Sequence, residues 1–294
     1  MQPMNSGVLF ALGAYLSWGL FPLYFRQIAA IPALQIVAHR TLWSLAFVAV
    51  VLLVTRNLAW LKQVSAATWR RFAVSATLIA INWLTYVWAV GNGHVLDASL
   101  GYFINPLVNV ALGFAVLHER PRPVQWLAVG LAAFGVLWLT VAAGRLPWVA
   151  LVLAVSFGLY GLMRKTAALG AIEGLTLETL ILAPLAAAGL IWWSQDGSMA
   201  GQTAVDWAWL AGTGPVTAGS LLLFAAGARR IPLATLGLVQ YVSPSLQFLL
   251  GVFLFREPMS GTRLVAFGFI WGALAVYSAE GLWQTRRALQ VRPL

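Results

Sequence analysis

The sequence predicts an all-α polytopic membrane protein: ten transmembrane helices as two inverted five-helix repeats, with both termini cytoplasmic. Three observations lead there. The chain of 294 residues is 61% hydrophobic and only 9% charged, against about 25% charged in a soluble domain. Charged or Pro/Gly-rich clusters cut its apolar sequence into ten segments, each near the ~20 residues that a spanning helix needs. The second half repeats the first.

The spans run roughly over 7–25, 34–54, 71–91, 98–117, 123–143, 147–163, 175–194, 207–227, 234–255 and 262–283. Span one is too long for a signal peptide and lacks a basic leader and a clear small-residue cleavage site, so it is expected to be retained. It offers Tyr15, Ser17 and Trp18. Span two carries His39 and Arg40 in "AHRTLWS". Span three places Asn82 and Tyr86 at i,i+4, on one helix face, flanked by Trp83 and Trp88. Span four has no formal charge from Leu100 to Leu117, yet it contains Pro106. Spans five and ten are rich in Gly and Ala, as expected of peripheral helices. Span six, "AVSFGLYGLMRK", aligns with "YLSWGLFPLYFR" of span one. Span seven holds Glu178 and Thr179 in "TLETLILAP", and span nine holds Gln240, Tyr241 and Pro244. Span ten contains "GFIWG", a Gly268–Gly272 close-packing motif that either packs within the fold or supports a homodimer.

The repeat is legible in aligned blocks. "ASLGYFINPLVNVALGFAVLHERP" matches "ATLGLVQYVSPSLQFLLGVFLFREP", with Pro106 on Pro244, Gly113 on Gly251 and Glu119 on Glu257. Ser17 falls on Ser156, Gly19 on Gly158, Arg26 on Lys165 and Gly130 on Gly268. Residues 1–143 and 144–283 are therefore read as two five-span units, followed by a basic cytoplasmic tail over 284–294. Five is odd, so the second unit enters the membrane from the opposite side. Secondary transporters often use this arrangement and bind substrate near the midplane between the halves.

The net charge of +10 is distributed as a membrane protein's would be. With the N-terminus cytoplasmic, the inner loops and tail hold 13 of the 18 Lys and Arg residues, the outer loops hold Arg26, Arg145, Arg256 and Arg263, and Arg40 is left inside a span. That is the positive-inside bias. The basic residues form no continuous face, so nucleic acid is not an expected partner; the lipid bilayer is. There are no cysteines, which excludes disulfides, thiolate metal sites and thiol catalysis. Most of the tryptophans near span ends read as an interfacial belt.

Ionisable groups inside spans are costly and point to function. Arg40 stays protonated and needs a partner, either an anionic group of a substrate or a helix carbonyl end. His39 and Glu178 can change protonation and are the candidates for proton coupling or gating. Both sites lie about five residues into their predicted spans, or 7–8 Å deep at ~1.5 Å per residue, within reach of snorkelling. The softer polar set, Asn82, Tyr86, Asn105, Gln240 and Tyr241, suits an amphipathic or aromatic organic molecule better than a bare ion. Pro106 and Pro244 remove backbone bonds at equivalent places, freeing the carbonyls of Tyr102 and Gln240 for Asn105, Asn109, Ser243 or Gln247 to satisfy. They are the candidate hinges. Glu119 and Glu257, beside Arg120 and Arg256, read as ion pairs or loop anchors.

With "HRTLWS", "NWLTYVWAV", "ASLGYFINPL", "GLYGLMRK", "LETLILAP", "GPVTA", "QYVSPSLQFLLG" and the "HERP" and "FREP" junctions in order, the chain resembles the RarD proteins, of the EamA branch of the drug/metabolite transporter superfamily, over about residues 7–283. The resemblance implies an inner-membrane permease, often labelled chloramphenicol-sensitive, moving small organic solutes, metabolites or drugs, such as chloramphenicol-like or amino-acid-like compounds. It transfers no catalytic residues. The expectation is a secondary transporter that works by alternating access, is driven by a proton or solute gradient and needs no cofactor or metal. No Walker-type phosphate loop is present for ATP drive. An intramembrane enzyme would need a catalytic cluster, and only three histidines exist. A sensor would carry a signalling domain. A channel is distinguished by its lack of saturable, counterflow-accelerated flux.

Overall fold

Inside a bilayer every backbone N–H and C=O needs a partner from the protein, and a helix supplies all of them within one segment. The computed structural model describes residues 6–55, 58–118, 120–228, 230–231 and 239–290, and among these it is helical with no strand. The helices are α1 (Ser6–Arg26), α2 (Ala33–Val54), α3 (Ala66–Gly91), α4 (Val95–Leu117), α5 (Pro123–Ala143), α6 (Trp148–Lys165), α7 (Ala171–Gln195), α8 (Ala204–Ala228), α9 (Val242–Leu249) and α10 (Gly261–Gln290). A short 3₁₀ turn, Ala59–Gln63, precedes α3, and a π-helical turn, Leu250–Leu254, continues α9. Seven helices among the described residues, α1 to α5, α7 and residues 261–281 of α10, are long and apolar enough to cross a membrane; α6 and α9 are shorter apolar helices.

The expected spans coincide with these helices to within a few residues at most ends. α3 starts earlier because Ser65 caps it, its hydroxyl accepting the Thr68 N–H at 3.2 Å. α8 starts earlier because Thr203 and Asp206 exchange backbone–side-chain hydrogen bonds in a capping box. α10 runs on to Gln290, so most of the expected basic tail is helix; residues 291–294 lie outside the described residues. So do the first residues of span nine, 234–238, and Glu119.

Helices α2 and α7 pack on each other, as do α5 and α10, α4 and α6, α1 and α9, α3 and α6, and α1 and α8. α4 and α6 run parallel, since Asn105 reaches the Ala154 carbonyl at 3.1 Å and a Cβ on Gly158 would meet Val108. α1 and α9 also run parallel, since Gln247 reaches the Trp18 carbonyl at 3.1 Å and, eight residues further along both segments, Arg26 lies over the Phe255 ring. One end of the bundle holds Arg26, over the Phe255 ring, and the Asp97–Arg263 ion pair. The opposite end holds Arg164 and the Arg122–Glu280 ion pair.

Two expectations change and one alternative is narrowed. Pro244 lies in the first turn of α9, after a turn at Tyr241, rather than mid-helix. There its missing N–H costs little, and its carbonyl accepts the Ser99 hydroxyl at 2.8 Å. Pro106, by contrast, sits inside a continuous α4. The Gly268–Gly272 motif does not pack within the fold: a Cβ at either glycine meets nothing within 4 Å. Glu257 is a loop anchor but pairs with helix α4 rather than with Arg256. Its carboxylate accepts the N–H groups of Val95 at 2.6 Å and Leu96 at 2.9 Å, satisfying donors that a helix start leaves orphaned.

Burial nevertheless pushes the Glu257 carboxyl above its ordinary value, outweighing those two donors. The folded chain then holds this proton more tightly than the unfolded chain. The group's contribution to stability is complete below the unfolded value of 4.5 and is lost as pH rises through the folded value. Glu257→Gln is expected to flatten that decline in thermal melts recorded from pH 4 upward. Glu257→Ala, which strands both N–H groups, is expected to lower the melting temperature at every pH.

Candidate functional site

Helix α2 starts at Ala33, so Arg40 is its eighth residue and lies about 10 Å along the helix at ~1.5 Å per residue, deeper than its predicted span implied. It does not snorkel. The residue is 4% exposed, and Nε donates to the Thr217 hydroxyl of α8 at 2.8 Å. The guanidinium lies 4.2 Å from the Trp83 ring centroid, with Phe25 at 5.5 Å and Phe21 at 5.7 Å. Its NH1 is buried and has no hydrogen-bond acceptor.

Two tyrosines complete this centre. Tyr86 is 4% exposed, and its buried hydroxyl also has no partner. Its ring lies 5.9 Å from that of Tyr102, whose hydroxyl donates to Asn82 Oδ1 at 3.3 Å. Both tyrosines lie near the Arg40 guanidinium. Asn82 in turn donates to the Leu153 carbonyl and the Ser156 hydroxyl of α6. Five helices, α1, α2, α3, α4 and α8, thus enclose one guanidinium in an aromatic box.

A second buried cluster stands toward the Arg164 end. Glu178 is the eighth residue of α7 and is 1% exposed. Ser75 of α3 donates to its Oε1 at 2.5 Å, and Tyr160 of α6 donates to its Oε2 at 3.2 Å. Arg164 NH1 is 3.8 Å from Oε1, with the guanidinium over Phe72 and NH2 donating to the Gly170 carbonyl. A Cβ on Gly174 would overlap Arg164, so only glycine admits the guanidinium there. A cleft of about 20 Å³, lined by residues that include Arg71, Phe72, Ser75 and Met163, opens beside Ser75. At the Arg26 end an open groove of about 490 Å³ runs between Tyr24 and Trp209, and the Tyr24 hydroxyl donates to the Trp209 carbonyl.

The sequence pattern of the EamA-like transporter family matches residues 5–141. An uncharacterized transporter of Pseudomonas aeruginosa is 48% identical over 97% of this chain and 97% of its own length. Protein RarD of Escherichia coli (strain K12) is 45% identical over 96% and 97% respectively. The chain belongs to the RarD family of the drug/metabolite transporter superfamily. A crystal structure of another protein, 21% identical, superimposes with a TM-score of 0.63 over 94% of this chain and 98% of that one, which shows a shared fold. RarD-family membership and seven apolar helices make this a multi-pass membrane protein of a transporter family.

In this RarD-family chain the predicted residues divide among several places. Arg40, Asn82 and Tyr86 meet in the aromatic box. Glu178 sits in the second cluster. His39 is buried against α8, its ring 5.1 Å from that of Trp207 with Nε2 unpartnered. Asn105 clips α4 to α6 and accepts from Asn109 at 3.3 Å, so neither amide serves the Tyr102 carbonyl. Tyr241 packs toward the α4–α5–α10 cluster and interacts with Tyr277, away from Arg40, and Gln240 precedes it at the helix break.

Residues the sequence reading left out include Tyr102, Thr217, Phe21 and Phe25 in the box, and Ser75, Tyr160 and Arg164 around Glu178. Tyr160 and Arg164 carried an available signal, an i,i+4 pair on one face of α6.

Proposed function

We propose that this RarD-family protein is a secondary transporter of the bacterial inner membrane, carrying a small organic solute by alternating access between two inverted five-helix repeats. The observation that carries this reading is the buried Arg40 box, closed off toward the Arg164 end by the Glu178 cluster. A transporter needs a central site with separately openable ends, and each polar cluster joins helices of both halves: Arg40 to Thr217, and Ser75 to Glu178.

Pairwise packing supports the inverted repeat. Exchanging the halves converts α4–α6 into α9–α1 and α3–α6 into α8–α1, and leaves α2–α7 and α5–α10 unchanged; all these pairs are in contact. His118 and Arg256, equivalent positions, share left-handed backbone at φ 55° and 52°. With most basic loop residues at the Arg164 end, that end faces the cytoplasm under the positive-inside rule. We assign proton coupling to His39 and Glu178, titratable groups inside the spans.

Purified protein in liposomes is expected to show saturable solute flux that accelerates in counterflow. Arg40→Ala and Glu178→Gln are expected to lose it while remaining folded. Normal flux in both variants removes the proposed site; flux that never saturates and ignores counterflow identifies a channel.

A further inference from the structure

A guanidinium keeps its proton at any physiological pH, so its charge needs a counterion wherever water is excluded. Among the described residues Arg40 has no carboxylate within ion-pair distance. The buried acids are committed elsewhere: Glu178 to Ser75, Tyr160 and Arg164, Glu257 to the start of α4, and Glu280 to Arg122. Asp97 holds Arg263. Thr217 and the Trp83 ring offset part of the charge, but NH1 faces no acceptor, and the Tyr86 hydroxyl in the same box has none either. Two unpartnered buried donors beside one uncompensated cation call for an anionic acceptor.

We propose, resting on the transporter reading above, that the substrate is an organic anion. Its carboxylate would accept from Arg40 NH1 and the Tyr86 hydroxyl, and its flat apolar body would lie among Phe21, Phe25 and Tyr102. The charge count favours a single carboxylate. One cation and one hydroxyl satisfy a monoanion, whereas a phosphate dianion would carry a second charge into an aromatic box with no second buried cation. A cationic substrate would meet Arg40 at like charge. A neutral one could accept a hydrogen bond but would leave the guanidinium charge uncompensated in the loaded state, so loading would gain less from it.

The test uses purified full-length protein in detergent at pH 7 and three probes of one shape: phenylacetate, phenylacetamide and phenethylammonium, with acetate and inorganic phosphate beside them. Calorimetry is expected to show phenylacetate binding at least ~10-fold tighter than the amide or the ammonium, acetate more weakly and phosphate not at all. Arg40→Met is expected to abolish the preference for the anion. Its ligand-free form is expected to melt no lower than wild type, because it removes an uncompensated buried charge. Tyr86→Phe, which deletes only an unpartnered hydroxyl, is expected to stay folded and weaken phenylacetate several-fold.

The proposal is overturned by any of three results: no phenylacetate binding, equal or tighter binding of the amide or ammonium, or an Arg40→Met protein that keeps the anion preference. A collapse in the melting temperature of Arg40→Met also overturns it, since the guanidinium would then be structural. Vesicle flux separates the two readings. Phenylacetate that binds through Arg40 but is never exchanged across the membrane leaves the anion site and removes the transporter; flux of a neutral or cationic solute untouched by Arg40→Met does the reverse.

Discussion

Glu178→Ala is expected to cost about 3–5 kcal/mol of stability, while the double variant Glu178→Ala/Arg164→Leu recovers most of that loss. Glu178 is almost fully buried, with both carboxylate oxygens engaged by Ser75, Tyr160 and Arg164. Removing the acid alone leaves the Arg164 guanidinium over Phe72 without its counterion and strands two hydroxyls. Removing both charges leaves an apolar gap that costs less than an orphaned ion. Unfolding melts of the single and double variants close a thermodynamic cycle, whose interaction term isolates the pair. Additive losses would mean the 3.8 Å contact carries no coupling. Ser75→Ala and Tyr160→Phe are each expected to cost about 1 kcal/mol. Gly174→Ala is expected to break the Arg164–Glu178 contact as Arg164→Leu does, because the new methyl group takes the guanidinium's place.

The same cluster shows what the sequence made legible. Each apolar run ends at a charge or a Pro/Gly cluster, so the helices could be located from hydropathy alone. Glu178 and Arg40 stood out because a formal charge within an apolar run is costly. Arg164 did not, because predicted span six ends at residue 163 and leaves it among the inner-loop charges. Helix α6 in fact runs through Lys165, and the arginine side chain reaches the acid on α7. Thr217 was illegible for another reason. It is an ordinary helix residue whose role comes from α8 crossing α2, a pairing 177 positions apart in the chain.

The amides show the reverse error. Asn105 and Gln247 are two of the four neighbours expected to satisfy the carbonyls that Pro106 and Pro244 free, a local argument along one helix. Each instead donates across to the neighbouring parallel helix: Asn105 to the Ala154 carbonyl, Gln247 to the Trp18 carbonyl. Inter-helical hydrogen bonds are a main cohesive force where lipid is as apolar as the side chains. Tyr241 belongs by sequence to the polar set of an unbroken span nine, but the break in that span turns it toward α10. Periodicity assumes an unbroken helix, and a turn resets the phase.

Gly214→Ala is expected to cost about 1–3 kcal/mol and to abolish transport, whereas Gly219→Ala on the same helix is expected to be neutral or slightly stabilising. In both cases the helix-propensity gain from glycine to alanine is the same, about 1 kcal/mol, so the contrast isolates packing. At Gly214 a Cβ would overlap the backbone carbonyl of Trp43, whereas at Gly219 it meets nothing within 4 Å. A side-chain tip could swing aside, but the Trp43 carbonyl belongs to the α2 ladder and moves only if α2 and α8 part. Gly214 lies one turn before Thr217, on the stretch of α8 that brings the threonine hydroxyl to 2.8 Å from Arg40. Separating the helices there withdraws the hydrogen bond that holds the guanidinium over Trp83, so stability and transport should fall together. Melting temperatures and flux for the two variants, compared side by side, measure this. Equal behaviour at positions 214 and 219 would mean that close approach of α2 and α8 does not hold Arg40 in place.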